Sequence, residues 1–353
     1  MARLDEICRL NMGQSPDSSS YNEIGEGIPF FQGNADFGEV FPTVRVWCNA
    51  PTKIAYPGDI LISVRAPIGA LNIADVKCCI GRGLAALTVD ESICSKQYLW
   101  YAIANKVEEL NSKGTGSTFK AISKSILSET EIPLPPLDEQ RRIVSILDKV
   151  TSLIALRKQQ LALLDELVKA RFVEMFGEPS QGKSKWERLK WCDVFTTTTG
   201  KLDSNEAVKD GKYPFFTCSK EWLWIDKYAF DCEALLLAGN NAAGIYDVKY
   251  YKGKFNAYQR TYILTLVNND WQYPLFKYQL ENRLNYLQNQ SKGTNTRYLT
   301  LGILHTIDFI VPPSDLQSIF SSFTEKAEQQ KLTIQKSLGI LDVLKKLLMQ
   351  KYF

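Results

Sequence analysis

The chain has 353 residues, more than one ordinary domain needs, and 45% hydrophobic against 23% charged residues is the balance of a globular protein with real cores. A formal net charge of +3 is too small for charge alone to mark a nucleic-acid binder, so a basic surface has to come from local arrangement. No apolar run reaches the roughly 20 residues of a membrane span, and Met1-Ala2-Arg3-Leu4-Asp5-Glu6 has no apolar stretch of signal-peptide type. The expectation is a cytoplasmic protein with no membrane partner.

In chain order, residues 58–64 (Gly-Asp-Ile-Leu-Ile-Ser-Val) and 84–89 (Leu-Ala-Ala-Leu-Thr-Val) read as buried strands bounded by glycines. A shorter helix follows over 95–112. Pro135-Pro136 then stops this mixed region and opens a long helix over 138–176. Asp138 falls in its first turn, where a carboxylate suits the positive end of the helix dipole. Ile143, Ile146, Leu147, Val150, Leu153, Ile154, Leu161, Leu164, Leu167 and Val168 recur along it at spacings of three and four. The same series then returns. Strands are expected at 234–238 and 261–266 and a helix at 272–289. Pro312-Pro313 opens a second long helix over 315–352, with Asp315 in its first turn. Its stripe is Leu316, Ile319, Phe320, Phe323, Ala327, Ile334, Leu338, Leu341, Leu344 and Leu348. Such stripes are coiled-coil seams, and each helix is about 60 Å long. The chain divides accordingly into a mixed α/β region 1–134, a long helix 135–178, a mixed α/β region 179–311 and a long helix 312–353.

The recurrence extends to individual residues. Arg3-Leu4 matches Arg188-Leu189, and Pro29-Phe30-Phe31 matches Pro214-Phe215-Phe216, both at an offset of 185. Lys113-Gly114-Thr115 matches Lys292-Gly293-Thr294 at 179. Pro135, Pro136, Asp138 and Gln140 match Pro312, Pro313, Asp315 and Gln317 at 177, and that offset continues through Leu161/Leu338, Leu164/Leu341, Asp165/Asp342, Leu167/Leu344, Lys169/Lys346 and Phe176/Phe353. An ordered set of this kind is an internal repeat. The fold class it predicts is α+β: two mixed α/β domains separated by two long helices. A lone helix of this length cannot bury its stripe, so the two should form an intramolecular antiparallel coiled coil with pseudo-two-fold symmetry.

Catalytic signatures are missing. Cys8, Cys48, Cys78, Cys79, Cys94, Cys192, Cys218 and Cys232 contain no Cys-x-x-Cys and read as reduced, half-buried side chains. His305 is the one histidine, which excludes a His/Cys zinc cluster; set among Ile303, Leu304 and Ile307, it is expected at a core or edge position. Gly177-Glu178-Pro179-Ser180-Gln181-Gly182-Lys183-Ser184 fits the phosphate-loop pattern in the wrong setting. A long helix leads in and the second copy begins at Trp186, whereas the motif works between a strand and a helix. The glycines are better read as a helix stop and linker. Pro135-Pro136 and Pro312-Pro313 are followed by Leu137 and Ser314, not by the aromatic residue of adenine-methylating motifs. A binder is expected, with no catalytic and no metal site.

Ile132-Pro133-Leu134-Pro135-Pro136-Leu137-Asp138-Glu139-Gln140-Arg141-Arg142-Ile143 and Ala170-Arg171-Phe172-Val173-Glu174-Met175-Phe176-Gly177 resemble the conserved helix segments of Type I restriction–modification specificity subunits. Lys113-Gly114-Thr115-Gly116-Ser117-Thr118 and Gly27-Ile28-Pro29-Phe30-Phe31-Gln32-Gly33-Asn34 resemble elements near the end and the start of a target recognition domain. The resemblance runs through the chain twice. It implies two target recognition domains, each reading half of a bipartite site on double-stranded DNA, with the helices fixing the gap. It also implies two modification (methyltransferase) subunits, which hold S-adenosylmethionine, and restriction (motor–nuclease) subunits; this chain itself would bind no cofactor. The second copy departs from the pattern at Ser314 and Leu316, where the first has Leu137 and Glu139.

Polar and basic residues on loops beside the predicted strands are the candidate DNA contacts. In the first domain these are Gln32, Asn34, Arg65, Arg82, Ser117, Thr118 and Lys120. In the second they are Thr217, Ser219, Lys220, Asn240, Asn241, Gln259, Arg260, Thr296 and Arg297. Arginine suits guanine edges; asparagine and glutamine suit adenine. Lys113 and Lys292 suit phosphates. Glu139, Arg141, Arg142, Arg157 and Lys158 are expected on the exposed helix face that meets a modification subunit. The competing reading is a coiled-coil scaffold that binds proteins only.

Overall fold

The computed structural model describes residues 1–116, 120–178 and 185–353. They form two compact units: Met1–Lys158 with Lys336–Phe353, and Gln159–Gln335. Each long helix is cut by this division, so each unit contains part of both.

In the first unit the strand Ile60–Ser63 is buried on both faces. Successive side chains alternate. Ile60 and Ile62, with Ala85 and Leu87, pack on Tyr98, Leu99, Ala102 and Ile103 of the helix Lys96–Asn105. Leu61, Leu84 and Ala86 face the other way, against Phe31 and Ile80. One sheet of four strands runs in the order Cys8–Met12, Leu84–Val89, Ile60–Ser63, Leu71–Ile73. A second sheet of five strands centres on Ile28–Phe31, which pairs in parallel with Cys78–Ile80.

The second unit repeats the alternation. Leu235, Leu237, Leu264 and Leu266 pack on Trp191, Phe276 and Phe309, while Ala234, Leu236 and Ile263 meet Phe216 and Phe255. Six of its strands form one sheet. The register matches the first unit. Phe30 and Phe31 oppose Cys79 and Ile80, and Phe215 and Phe216 oppose Asn256 and Ala257. The difference is continuity. Phe230–Ala238 and Val248–Ala257 run unbroken where the first unit has Ile54–Ala55, Ile60–Ser63, Leu71–Ile73 and Cys78–Ile80. Pro57-Gly58 lies in the first of those breaks; Gly58 has φ +94°, a backbone that other residues avoid.

The long helices span Leu137–Phe176 and Ser314–Tyr352. In the first unit Ile143 and Leu147 share a core with Leu348, Met349, Tyr352 and Phe353, and the Phe353 ring lies 5.1 Å from that of Tyr98. In the second unit Val168, Phe172 and Phe176 share a core with Phe320 and Ala327. There Lys331 Nζ reaches Asp165 Oδ1 at 2.6 Å. Burial works against the charge on Lys331, but Asp165 and Glu328 outweigh it and hold the ammonium above its ordinary range. In each unit the start of one helix meets the end of the other, which is the expected antiparallel pairing. The seam differs from the expectation at Leu153, Leu167, Ile319 and Leu344, which are exposed; the apolar spacing offers two neighbouring stripes and these lie on the outer one.

Three further expectations are corrected. His305 is exposed, at the end of the short helix Leu301–Leu304, because Ile303, Leu304 and Ile307 turn inward in its place. The cysteines are not uniformly half-buried: Cys8, Cys48, Cys78, Cys79 and Cys94 are buried and Cys192 is exposed. Arg3-Leu4 is equivalent to Lys190-Trp191, not to Arg188-Leu189. Leu4–Ile7 and Trp191–Val194 are the matching helices, and Cys8 and Phe195 are the matching strand starts. The segment that matches the phosphate-loop pattern, expected to be a helix stop and linker, lies outside the described residues over 179–184; a helix precedes it and the strand Glu187–Lys190 follows.

Candidate nucleic-acid interface

Each long helix is tied to its unit by one buried glutamine. Gln140 accepts the Ser95 amide at 2.8 Å and donates to the Ile93 and Pro135 carbonyls at 3.1 and 2.9 Å. Gln317 accepts the Gln272 amide at 3.0 Å and donates to the Pro312 carbonyl at 2.8 Å. Both are fully buried. Sequence reasoning paired these two residues but gave them no task; the signal was a polar residue repeated on the apolar side of a helix start.

In the first unit, Gln32, Gly33, Asn34, Arg65, Ala66, Arg82 and Gly83 line one shallow cleft. Three strand ends bring them together. Gln32–Asn34 follow Ile28–Phe31, Arg65 follows Ile60–Ser63 by two residues, and Arg82 precedes Leu84–Val89. The Gly83 amide donates to the Gln32 carbonyl at 3.1 Å and the Val64 amide to the Gly83 carbonyl at 2.9 Å, which locks the three loops together. A Cβ on Gly83 would stand 2.4 Å from the Gln32 oxygen, so only glycine fits. Lys120 joins them, because its carbonyl accepts the Ala66 amide at 3.0 Å. Arg65, Arg82, Gln32 and Lys120 are exposed. Lys113 is set apart, paired with Glu109 at 2.7 Å. Ser117 and Thr118 lie outside the described residues.

In the second unit the equivalent strand ends gather Thr217–Lys220, Asn240-Asn241 and Gln259-Arg260. The Gly239 amide donates to the Arg260 carbonyl at 2.8 Å, the Cys218 thiol lies 3.4 Å from that oxygen, and the Leu299 amide donates to the Gly239 carbonyl at 2.8 Å. Asn240 and Asn241 pair with Tyr298 and Arg297. Ser219, Lys220, Gln259, Arg260, Lys292 and Thr296 are exposed. Others are committed to the loops. Thr217 is buried and its hydroxyl accepts the Ser219 amide at 3.3 Å. The Asn241 carboxamide oxygen accepts the Ala243 amide at 2.9 Å, and the Arg297 guanidinium donates to the Gln288 carbonyl at 3.2 Å. Thr217 therefore builds the surface and does not present itself on it. Trp222, exposed and packed 5.1 Å from Phe216, follows Lys220 by two residues in the sequence and was not singled out from it. An aromatic next to a basic loop was the available signal.

On the helices, Arg141 pairs with Asp138 at 3.0 Å and Arg142 with Glu139 at 2.7 Å. Arg142 holds the Glu139 carboxyl below its ordinary range. Arg141 and Lys158 are exposed, while Glu139 and Arg157 are half-buried. Arg141 lines a groove in the first unit with Val144, Asp148, Leu153 and Leu156. Leu153 and Leu156 are 45% and 55% exposed, an apolar surface that water does not favour. Among the described residues no group of His, Cys, Asp or Glu is placed to hold a metal ion, and no helix is long and apolar enough to cross a membrane.

The model of the family described as Type I restriction modification DNA specificity domain matches residues 1–166 and again 183–346. The putative type I restriction enzyme MjaX specificity subunit of Methanocaldococcus jannaschii is 42% identical over 156 residues. That alignment covers 44% of this chain and spans only 37% of that protein's length. The type I restriction enzyme MjaIX specificity subunit of the same organism is 23% identical over 402 aligned residues, covering 99% of this chain and 91% of the relative. The crystal structure of the type I restriction–modification S subunit from M. genitalium superposes with a TM-score of 0.69 at 18% identity, covering 99% and 95% of the two chains, a likeness of fold.

Proposed function

The chain belongs to the family of Type I restriction–modification DNA specificity domains, and on that premise we propose that it selects a bipartite site on double-stranded DNA and performs no chemistry itself. Unit 1 reads one half-site and unit 2 the other. The observation that carries this reading is the duplicated loop cluster: the same strand ends, in the same register, present Arg65 and Arg82 in one unit and Asn240, Gln259 and Arg260 in the other. Two frames alike with different exposed side chains are what two dissimilar half-sites require. The paired helices set the unread gap. Two major-groove readers on one face of a duplex prefer centres about 34 Å apart.

Modification subunits that hold S-adenosylmethionine supply the methylation, and restriction subunits join for cleavage, both in the cytoplasm. The groove of Arg141, Leu153 and Leu156 is the surface on which a modification subunit docks in unit 1. Double-stranded DNA is bound by the assembled complex. The test is to produce the chain with its modification subunits and sequence the methylated positions of the host DNA. A gapped site with two different halves is the expected result; methylation without a common sequence overturns the reading. A protein-only scaffold is the alternative class. It predicts an affinity for DNA that does not change when this chain is omitted, and no added salt dependence from it.

A further inference from the structure

We propose that Arg65 and Arg82 read guanines in the half-site of unit 1, and that Asn240 and Gln259 read adenines at the symmetry-equivalent places in the half-site of unit 2. The inference rests on the reading above and assigns its chemistry. Strand register, not sequence likeness, identifies the equivalent residues. Ser63 opposes Leu84 in one unit and Ala238 opposes Thr261 in the other. One residue on, the Val64 amide donates to Gly83 and the Gly239 amide to Arg260. The next residues are Arg65, bridged to Ala121, and Asn240, paired with Tyr298. Ala121 and Tyr298 are themselves equivalent, bridging Thr115 and Lys292; the bridges thus pair Lys292 with Thr115, two residues from the Lys113 that sequence likeness matches to it. On the neighbouring loop, the Arg82 amide donates to Ser15 Oγ at 3.2 Å and the Gln259 amide to the Leu202 carbonyl at 2.9 Å. Ser15 and Leu202 follow the paired strand starts Cys8 and Phe195 by the same seven residues.

None of these four side chains makes a hydrogen bond or ion pair among the described residues, and Arg65, Arg82 and Gln259 are exposed. Among the described residues, their donors and acceptors are unoccupied. A guanidinium offers donors only, which fits the two acceptors O6 and N7 of guanine. A carboxamide offers one donor group and one acceptor, which fits N7 and the amino group of adenine. Arg260 takes the place of Gly83, the position that in unit 1 has no room for a side chain. It adds a cation to unit 2 beside the proposed adenine readers, where a phosphate contact fits its charge.

The experiment exchanges the chemistry at these positions. The R65N/R82Q and N240R/Q259R variants are produced with wild-type modification subunits, and methylated positions in host DNA are sequenced beside those of the wild type. The expected result for R65N/R82Q is loss of guanine preference, about tenfold or more, at one or two positions of one half-site, with adenine gained there and the other half-site unchanged. N240R/Q259R changes the other half-site in the opposite sense. The unaltered half serves as the control for folding. If R65N/R82Q methylates nothing, the single variants Arg65→Ala and Arg82→Ala decide: a relaxed half-site supports the assignment. Unchanged half-sites in the variants overturn it while leaving bipartite reading intact. A wild type without a gapped site overturns the functional reading first.

Discussion

The two units trace one ladder with different joints. In unit 2 the strands Phe230–Ala238 and Val248–Ala257 pair continuously from Phe230↔Phe255 to Leu237↔Val248. In unit 1 the same ladder is interrupted, with Ile54–Ala55 pairing Cys78–Ile80 and Ile60–Ser63 pairing Leu71–Ile73. Tyr56-Pro57-Gly58-Asp59 makes the break: the Tyr56 amide donates to the Asp59 carboxylate at 2.8 Å, and proline offers no ladder donor. Unit 2 has Asp231-Cys232-Glu233 there and one sheet results. The lesson is that joints can vary while the strand ends that carry Arg65 and Asn240 keep their places.

The helix junctions give the widest contrast. Unit 2 closes its junction with an aromatic group: Phe172 lies 5.2, 4.7 and 5.6 Å from Phe176, Tyr278 and Phe320. Unit 1 uses one ring pair, Tyr98 and Phe353. Phe172→Ala should cost about 3–5 kcal/mol, read as a lowered unfolding midpoint in denaturant. A loss below about 1 kcal/mol would show that the junction collapses onto the gap. Next come the glutamine ties. Gln140→Ala strands three backbone groups and Gln317→Ala two, so losses of about 1–3 kcal/mol are expected, with Gln140 the larger. Equal losses would show that the bond without a counterpart, to the Ile93 carbonyl, contributes nothing. Gly58→Ala sharpens the comparison of joints. Its positive φ makes alanine cost about 1 kcal/mol, with no corresponding site in unit 2, where Glu233 occupies the place.

The smallest effect is one of acidity. In unit 2 burial raises the Asp308 carboxyl, but Arg188, 3.0 Å away, outweighs it and holds the group below its ordinary value of 3.8. A lowered carboxyl contributes stability that is complete above 3.8 and disappears as pH falls through the folded value. The amount, after solvent screening, is under about 1 kcal/mol. Asp308→Asn should therefore lower the unfolding temperature slightly at pH 7, by an amount that shrinks as the pH is taken below 3.8. In unit 1 the equivalent Glu131 faces Arg3, which is bonded to Asp5 instead, so Glu131→Gln removes no ion pair of this kind.

Much of this was legible because it repeats. Prolines before each long helix, the apolar stripes and the strands at 84–89 and 261–266 are local signals that appear twice. The mismatch of Arg3-Leu4 with Arg188-Leu189 has a physical origin. A slip of two residues keeps every strand side chain on its own face, so sequence likeness tolerates an offset that only strand pairing resolves. Helix faces were harder. Leu153 and Leu167 satisfy the same spacing as Ile154 and Val168, yet two are exposed and two are buried. The reading loops were found by their position after buried strands. Which members reach outward was not legible: Thr217 is buried and takes the Ser219 amide, and Arg297 is held by the Gln288 carbonyl, while Ser219 and Gln259 stay exposed.

Residues 336–353 complete the core begun by residues 1–158. During synthesis Tyr98, Ile143 and Leu147 emerge long before Leu348, Tyr352 and Phe353 exist to cover them. At ordinary translation speeds that interval is about 10–40 s. For that time the nascent first unit holds an oily seam open to the crowded cell, and only a chaperone or the chain's own later half can close it.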